Sequence, residues 1–441
     1  MIKTLINACK VVDLRKKLFY TIMIIIVFRI GSAIPVPFLN VDALKGIMGN
    51  VSEGGALLAY LDTLSGGAFS QATLFAMSIS PYINASIIMQ LMTVALPVLE
   101  NLQKEGEEGR KKLTAITRYV TIALGLMQGS AYYTYLRNSS YAGKSIVKYT
   151  QGYEGIFVAI VIVLTFTAGT ALMMWLGERI NENGIGNGVS ILLFAGIVAR
   201  MPELITKLTA YVMLAVEQPG EYGKYYGLVP LFIFIFLLMM WVIVFNNDAE
   251  RRIPVQYAKR TVGRKVYAGQ NSHIPLKIGL SGVMPIIFAS SILSVPTLMN
   301  FFMKPTGTLK TILDAFSVNG WLYTILYFLL ILMFSYFYVA ITYNPIEMAN
   351  NLRQSNGAIP GIRPGKPTMD YFSRVLSKVT FMGAMFLAFV AIFPILFGYF
   401  TGMNNLSLGG TSIIILVGVA LETVKQMESQ MMMRHYKGFL D

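Results

Sequence analysis

Ten long apolar runs constrain this chain more than any other feature of its sequence. A helix that crosses a lipid bilayer needs about 20 mostly apolar residues, and the runs are of that order. The mean hydropathy of +0.59 and the charged fraction of 13% are likewise typical of integral membrane proteins. The sequence therefore predicts an all-α membrane protein with ten transmembrane helices, at roughly 18–36, 73–96, 113–136, 153–176, 185–202, 227–246, 281–301, 319–342, 376–400 and 407–424. Loops are expected between them, including 203–226 after the fifth span.

The basic residues predict how these helices are oriented. Cytoplasmic loops of membrane proteins carry an excess of Lys and Arg. With the N-terminus inside, 25 of the 36 basic residues fall in inside segments and nine in outside loops, while two lie within predicted helices. We therefore expect a multi-pass protein of the cell membrane with both termini in the cytoplasm.

The number of spans also predicts two halves, residues 1–202 and 203–441, with five spans each. An odd number of spans turns the second half upside down relative to the first, as in the inverted repeats of many transporters. The count alone favours this repeat, because the halves share no visible sequence similarity. One further segment, 56–70, is too short and glycine-rich to cross the bilayer, and it predicts either a half-inserted element or an outer loop.

Several classes of function are disfavoured by what the apolar runs lack. Ion-coupled transporters keep ionisable residues near the middle of the membrane, whereas here charged residues fall at predicted helix ends and in loops. The single Cys9 excludes an internal disulfide, and the distance in sequence between His273 and His435 disfavours a catalytic triad or a histidine metal site. The sequence contains no GxxxxGK[ST] phosphate loop. We expect a conduit or scaffold without a cofactor, and not an enzyme.

Proline and glycine interrupt several of the predicted helices. Pro81 and Pro285 fall inside the second and seventh, where either a kink beside a cavity or plain packing explains them. Gly125 and Gly129 form a GxxxG pair on the third, which favours close helix packing. Three glycines open the fifth, in the stretch GIGNGVSILLF at 184–194.

Charge is concentrated in the segment between the sixth and seventh spans. Residues 247–277 hold seven Lys and Arg, and Ile253, Val255 and Tyr257 alternate with other residues around Pro254. This alternation predicts an extended ribbon that projects into the cytosol. A signal for orientation explains the sign of the charge but not its amount, so a docking surface for a large acidic partner is the other interpretation.

Motifs along almost the whole chain resemble the SecY/Sec61-alpha family, whose bacterial members form the channel subunit of the Sec protein translocase. The motifs are long and follow the family's order. The resemblance implies ten helices in two inverted halves around a central hourglass pore, with a re-entrant plug half-helix. The motifs are SGGAFSQATLFAMSISPYINASIIMQLMTVALPVLENLQKEGEEGRKKLTAITRY (65–119), GERINENGIGNGVSILLFAGIV (177–198), ERRIPVQYAKR (250–260), GVMPIIFASSI (282–292), NPIEMANNLRQSNGAIPGIRPGKPT (344–368) and GGTSIIILVGVALET (409–423).

The resemblance implies positions for the pore and its plug. The plug corresponds to 56–70, with Gly66 and Gly67 as its flexible hinge. The pore constriction of the family is a ring of branched apolar side chains, mostly Ile, which resists wetting. This ring corresponds to Ile79, Ile83, Val189, Leu193, Ile287 and Ile415.

A lateral gate lies between the second and seventh helices in this family, and hydrophobic signal sequences leave through it into lipid. Polar residues along the seam would hold the gate shut weakly and reversibly, because hydrogen bonds between membrane helices contribute only about 0.6–2 kcal/mol. The candidates for these contacts are Thr93, Gln128 and Ser291.

The basic loops 247–277 and 344–372 correspond to family loops that dock the ribosome or the ATPase SecA. Arg and Lys bind the phosphates of ribosomal RNA in a salt-dependent way. Arg363, in PGIRPG, matches a family position needed for SecA-driven transport. The resemblance further implies the membrane subunits SecE and SecG, the nascent chain, signal peptides and the lipid bilayer as partners. The predicted docking residues are Arg251, Arg252, Lys259, Arg260 and Arg363.

The resemblance thus implies a channel that passes unfolded polypeptides outward and releases membrane helices sideways, powered by SecA or by the ribosome. Two alternatives compete with it. A secondary transporter for a small solute would need a charge or discrete polar site at the middle of the membrane, and the sequence offers neither. A membrane scaffold or insertase would lack both a continuous constriction and a plug, and only the family motifs disfavour it.

Overall fold

A computed structural model describes residues 9–44, 62, 65–141, 144–257, 260–262, 265–267, 271–303, 313, 315–316, 321–401 and 410–437. Its helices are α1 (Val12–Gly31), α2 (Ser80–Ala95), α3 (Pro97–Lys104), α4 (Glu107–Asn138), α5 (Gly152–Asn183), α6 (Gly188–Ala199), α7 (Met201–Glu217), α8 (Pro219–Tyr222), α9 (Tyr225–Asp248), α10 (Met284–Met303), α11 (Trp321–Thr342), α12 (Pro345–Gln354), α13 (Lys366–Thr401) and α14 (Gly410–Lys437). Its strands are β1 (Ser140–Tyr141), β2 (Lys144–Ser145), β3 (Glu250–Tyr257), β4 (Arg260–Val262), β5 (Lys265–Tyr267), β6 (Asn271–Lys277) and β7 (Gly357–Ala358).

Helices lie where the sequence predicts membrane spans. Each of the ten predicted segments overlaps mainly one helix, and the all-α architecture is confirmed. The overlapping helices are α1, α2, α4, α5, α6, α9, α10, α11, α13 and α14.

Length and hydropathy together select a smaller set of spans. Within the described part of the chain, five helical segments are long and apolar enough to cross a membrane. A sixth results if α2 and α3, which are bent by 100° relative to each other, count as one span. The number of ten spans therefore stays a prediction. The five segments are Gly152–Asn183, Gly188–Glu217, Tyr225–Asp248, Trp321–Gln354 and Lys366–Thr401.

Both prolines that were expected inside spans lie at the beginnings of helices, so the kink interpretation is wrong. α2 begins at Ser80, which places Pro81 in its first turn, and a β-bridge at Thr73 followed by turns at 74–79 replaces the predicted helix. α10 begins at Met284, which places Pro285 in its first turn. Proline is tolerated there because the N–H groups of a first turn have no partner within the helix.

A close backbone crossing accompanies the turns at 74–79. A Cβ built on Gly169 of α5 would lie 1.9 Å from the carbonyl oxygen of Leu74, so the two backbones touch. Ser78 has a positive φ of 53°, which interrupts helical geometry just before α2. These features place Ile79 at the N-terminal end of α2, with only 1% of its surface exposed.

The fifth predicted span continues beyond its predicted end. α6 ends at Ala199 and α7 begins at Met201, so α7, α8 and the start of α9 occupy what the sequence predicted as a loop at 203–226. Pro202 lies in the first turn of α7, where it is compatible with a new helix. Arg200 stands between the two helices and caps both. The loop prediction is wrong for this segment.

The GxxxG pair packs α4 against α5, as its spacing predicts. A Cβ built on Gly125 would lie 3.5 Å from the methyl group of Thr170, and one on Gly129 would lie 3.5 Å from Cβ of Phe166. These are ordinary van der Waals distances to the neighbouring helix. The packing interpretation of the two glycines is confirmed.

The two basic loops fold together into one small unit, here called the loop unit, which consists of β3, β6, β7 and α12. β3 lies between β6 and β7 and is antiparallel to both. Glu250 stands opposite Lys277 at one end of the ladder, and Tyr257 stands opposite Gly357 at the other. The predicted extended ribbon is confirmed as β3, while the strand added by the second loop was not predicted.

The loop unit has its own apolar core. Ile253 and Val255, which are two residues apart on β3, point to the same face of the sheet and are both 1% exposed. They pack in one cluster with Leu352 of α12, Ile359 after β7 and Phe372 of α13. The core joins the two loops in addition to the backbone pairing.

Candidate functional site

Six aliphatic residues that the sequence assigns to a constriction converge on one hydrophobic cluster. We call them the constriction residues. They come from the beginning of α2, from α6, from α10 and from α14, and therefore from both halves of the sequence. Three are buried in the cluster, namely Ile79, Leu193 and Ile415, and three pack against it half-buried, namely Ile83, Val189 and Ile287.

A second backbone crossing positions the constriction residues of α6. A Cβ built on Gly188 would lie 1.9 Å from the carbonyl oxygen of Gly177 in α5. A Cβ built on Gly177 would lie 3.6 Å from Cδ1 of Ile79 and 3.7 Å from Cγ2 of Val189. Because both glycines lack side chains, Ile79 and Val189 meet at the same point of α5.

Asn187 fixes the beginning of α6. Its side-chain oxygen accepts hydrogen bonds from the backbone N–H of Val189 at 3.1 Å and of Ser190 at 3.4 Å, which is the usual arrangement of a helix N-cap. The side-chain oxygen of Asn181, near the end of α5, accepts a further bond from the N–H of Gly188 at 2.7 Å. These bonds determine the direction in which Val189 enters the cluster.

A close contact between α14 and the start of α10 brings in the remaining constriction residues. A Cβ built on Gly418 would lie 2.7 Å from Cγ2 of Val283, just before α10. Ile415 lies about one helical turn before Gly418, and Ile287 lies about one turn after Val283. The contact therefore places Ile287 and Ile415 in the same cluster.

Part of the predicted plug lies against this cluster. We call its described part, residues 62 and 65–70, the covering segment; residues 56–61 and 63–64 lie outside the described residues. Gly66 and Gly67 have positive φ values of 66° and 89°, which glycine adopts without strain. A Cβ built on Gly66 would lie 2.9 Å from Cα of Gly196 in α6, and Ala68 is buried within the cluster.

Charged groups also hold the covering segment, and no pattern in the sequence predicted them. Nη1 of Arg29 donates a hydrogen bond to the carbonyl oxygen of Gly66 at 3.2 Å. Arg200 forms a buried ion pair with Asp62. In the sequence, Asp62 and Arg200 are single charges in largely apolar stretches, and such a charge is the only signal that could have drawn attention to them. Nothing local in the sequence indicates that the two residues meet.

The three lateral-gate candidates lie on helices that contact one another. Thr93 is on α2, Gln128 on α4 and Ser291 on α10, and all three are half-buried. The hydroxyl of Thr93 donates to the carbonyl oxygen of Gln90 in its own helix at 2.8 Å. The carbonyl oxygen of Ser291 accepts from the hydroxyl of Ser294 at 2.7 Å. These bonds lie within α2 and α10, so they do not join the helices across the seam.

The predicted docking residues are distributed over the loop unit and its surroundings. Arg251 and Arg252 are exposed at the start of β3, and Nε of Arg252 lies 2.8 Å from Oε1 of Glu250. Arg260 begins β4, and Lys259 lies outside the described residues. The docking role of Lys259 therefore stays a prediction.

Arg363 projects from a tight turn after β7. Gly361 and Gly365, on either side of it, have positive φ values of 81° and 103°. The carbonyl oxygen of Arg363 accepts a hydrogen bond from the hydroxyl of Thr368 at 2.9 Å, while its side chain is exposed. The turn is thus fixed by its backbone, and the guanidinium group is available to a partner.

Comparison with known proteins points to one family throughout. Residues 73–424 match the sequence model described as SecY. The protein translocase subunit SecY of Streptomyces coelicolor is 42% identical over 447 residues, and the match covers 100% of both chains. The protein translocase subunit SecY of Mycobacterium tuberculosis (strain H37Rv) is 40% identical over 457 residues, again with 100% coverage of both.

Solved structures share the fold at lower identity. A structure described as a protein conducting channel has a TM-score of 0.58 at 17% identity, and the match covers 94% of this chain and 92% of the other. Sec61 in the canine ribosome–channel complex from the endoplasmic reticulum has a TM-score of 0.55 at 15% identity, with the same coverage. The helix arrangement described above is therefore that of these channels.

Proposed function

The chain belongs to the SecY family, and from this premise we propose that it is the channel-forming subunit of a protein translocase. Unfolded secretory polypeptides pass through its centre, and transmembrane segments leave it sideways into the lipid. One observation carries the proposal: the six constriction residues meet in a single apolar cluster, with the covering segment packed against it.

Branched apolar side chains suit a constriction that must open and reseal. They form no hydrogen bonds with one another, so a polypeptide separates them without breaking directional bonds. A narrow apolar constriction also disfavours water and therefore resists ion leak. The constriction thus accommodates side chains of any chemistry and binds none of them specifically.

The covering segment provides the second seal in this proposal. Its contacts are of two kinds, since Ala68 packs in the apolar cluster while Asp62 and Gly66 make polar contacts with arginines. The glycine pair at 66 and 67 allows the backbone to turn where a displaceable element needs a joint. Displacement outward then uncovers the constriction.

The seam between α2 and α10 is the proposed lateral gate. Thr93, Gln128 and Ser291 lie on the three helices that meet there. The described bonds of Thr93 and Ser291 stay within their own helices, and any interhelical hydrogen bond formed at these positions would contribute only about 0.6–2 kcal/mol. Contacts of that size are small enough for a hydrophobic signal sequence to replace.

Energy for transport comes from partners in this proposal, either SecA with ATP or the ribosome as it elongates the nascent chain. The exposed Arg251, Arg252 and Arg363 supply the positive charge that a phosphate-rich or acidic surface requires. The fold-sharing Sec61 structure is described in a ribosome–channel complex. SecE and SecG are the proposed membrane partners, and both termini lie in the cytoplasm because the basic residues are biased to that side.

Site-specific crosslinking tests the proposed path of the polypeptide. A photoreactive residue is placed at Ile83 or Ile287, and a secretory precursor is arrested midway through the channel. We expect crosslinks from both positions. The control is Ile160 on α5, which is 53% exposed on the outside of the bundle and should not react.

Absence of crosslinks at both constriction positions would contradict the proposal. Reaction at Ile160 alone would place the precursor outside the bundle and favour the scaffold or insertase alternative. Transport of a small solute without any precursor contact would favour the secondary-transporter alternative.

A further inference from the structure

A buried ion pair connects the covering segment to the junction of α6 and α7. The side chains of Asp62 and Arg200 are 7% and 8% exposed. No other ion pair between two described residues has both of its side chains buried to this extent. Because burial removes the screening of solvent and salt, this pair is electrostatically stronger than the exposed pairs.

Asp62 also organises the covering segment itself. Oδ1 of its carboxylate accepts a hydrogen bond from the backbone N–H of Ser70 at 2.8 Å. Its carbonyl oxygen accepts from the N–H of Gly67 at 2.9 Å and from the hydroxyl of Ser65 at 3.1 Å. The carboxylate therefore ties the two ends of the segment together while it reaches Arg200, and the segment is held as one body.

Arg200 is held in place from the other side. Its Nη2 lies 2.5 Å from Oε2 of Glu203, and Oε1 of Glu203 lies 3.0 Å from Nζ of Lys207. Both partners belong to the first turns of α7. The guanidinium group is thus anchored to the helix and presented to Asp62, so that loss of Asp62 would leave Arg200 in place with one acid contact fewer.

The Asp62–Arg200 pair holds the covering segment but also allows it to be released. Nε of Arg200 is buried and has no hydrogen-bond partner among the described residues. Desolvation of a buried ion pair offsets much of the attraction between its charges, whereas removal of one partner leaves an uncompensated buried charge. The contact therefore favours one position of the segment without making its departure prohibitive.

We propose that Asp62 and Arg200 form an ionic latch that holds the covering segment against the constriction, with Arg200 as a positioning residue that sets how readily the segment is displaced. The latch rests on the proposed channel function. In this proposal the covering segment is held in the closed position by apolar packing and also by one polar contact, between residues that are 138 positions apart.

The experiment compares Asp62→Asn, Arg200→Gln and the double variant in a purified translocase that contains the full chain. The Asp62→Asn change keeps a side-chain oxygen for the N–H of Ser70 but removes the charge. Glu182→Gln is the matched control, because it removes the acid of an exposed ion pair with Arg179 that does not touch the covering segment or Arg200. The substitution Ser65→Cys, at a fully buried position, reports displacement in a Cys9→Ser background.

Two quantities are measured without precursor in liposomes: ion leak, and the rate at which a membrane-impermeant thiol reagent modifies the Ser65→Cys reporter. We expect each single latch variant to raise the labelling rate by about 10- to 100-fold, as the loss of one hydrogen bond to a charged group implies. The leak rises in parallel, and Glu182→Gln changes either quantity by less than about threefold, as expected for an exposed ion pair. In the Arg200→Gln background, Asp62→Asn adds little further, because the two residues act through one contact.

Unchanged labelling in both single variants overturns the latch, and so does full additivity in the double variant. Thermal unfolding of each variant separates a latch from general destabilisation, since the latch predicts faster labelling at an unchanged midpoint. Precursor transport by the unaltered translocase is measured in parallel. If that transport is absent, the proposed function fails; if it is present while the variants label normally, only the latch fails.

Discussion

Replacing Gly188 with alanine perturbs the backbone crossing that positions the constriction. The new Cβ would lie 1.9 Å from the carbonyl oxygen of Gly177, whereas real Cβ atoms essentially never approach another atom within 3.0 Å. The difference between 3.0 and 1.9 Å means that α5 and α6 must separate by about 1.1 Å at this point. Val189 moves with α6 because it is the next residue.

The energetic cost follows from what the new methyl group meets. Overpacking a well-packed contact costs about 1–3 kcal/mol. The opposing atom here is a backbone oxygen within α5, which cannot rotate away, so we place Gly188→Ala at the upper end of that range. The better helix propensity of alanine offsets less than about 1 kcal/mol, which leaves a net loss of stability of about 2 kcal/mol.

Thermal unfolding of the purified protein and ion leak through the precursor-free translocase are the two assays. We expect a lower unfolding midpoint and a larger leak for Gly188→Ala. Gly227→Ala in α9 is the control, because a Cβ at Gly227 would have no atom of the described residues within 4 Å. If the two variants have equal unfolding midpoints and equal ion leak, the contact of Gly188 with Gly177 does not position Val189, and the reasoning is refuted.

Two further predictions concern the loop unit. Arg363→Glu should abolish SecA-dependent secretion while the subunit still assembles, because the guanidinium group is exposed and not part of the apolar core of the loop unit. Arg353→Glu, also exposed, is the control, and normal secretion by the Arg363 variant would exclude its docking role. Gly357→Val should detach β7 from β3, since a Cβ there would already lie 2.6 Å from Leu352 and 3.0 Å from Tyr257. Limited proteolysis of the second basic loop should then become several-fold faster than in Ser355→Ala, and equal rates would contradict the pairing.

Local patterns predicted most of the helices because a membrane helix satisfies its backbone hydrogen bonds within its own segment. The predictions failed where a contact with another segment decides the local structure. Residues 73–79 are apolar enough for a helix, but the crossing of Leu74 over Gly169 accompanies turns there. The segment after Pro202 was expected to be a loop, although proline in a first turn is as compatible with a new helix as with an end.

The candidate site divides in the same way. The motifs supplied the six constriction residues, and the structure gathers all of them in one cluster, although their role in transport stays a prediction. The ion pair of Asp62 with Arg200 could not be predicted, because its partners are 138 positions apart and neither belongs to a recognisable motif. The pairing of β3 with β7 was missed because only the first loop carries a strand pattern, while β7 is the two residues Gly357–Ala358.

The attachment of the loop unit has a mechanical consequence. The helices that lead into and out of it are α9, α10, α11 and α13, all of which follow residue 224 in the chain. Nζ of Lys425 in α14 adds a tether to the end of α9, 2.7 Å from Oδ1 of Asp248. Only a short turn separates Lys277, the last residue of β6, from α10, which carries Ile287 and Ser291. A displacement of the loop unit by a bound partner would therefore reach α10, with Ile287 and Ser291, through a connection of only six residues, 278–283.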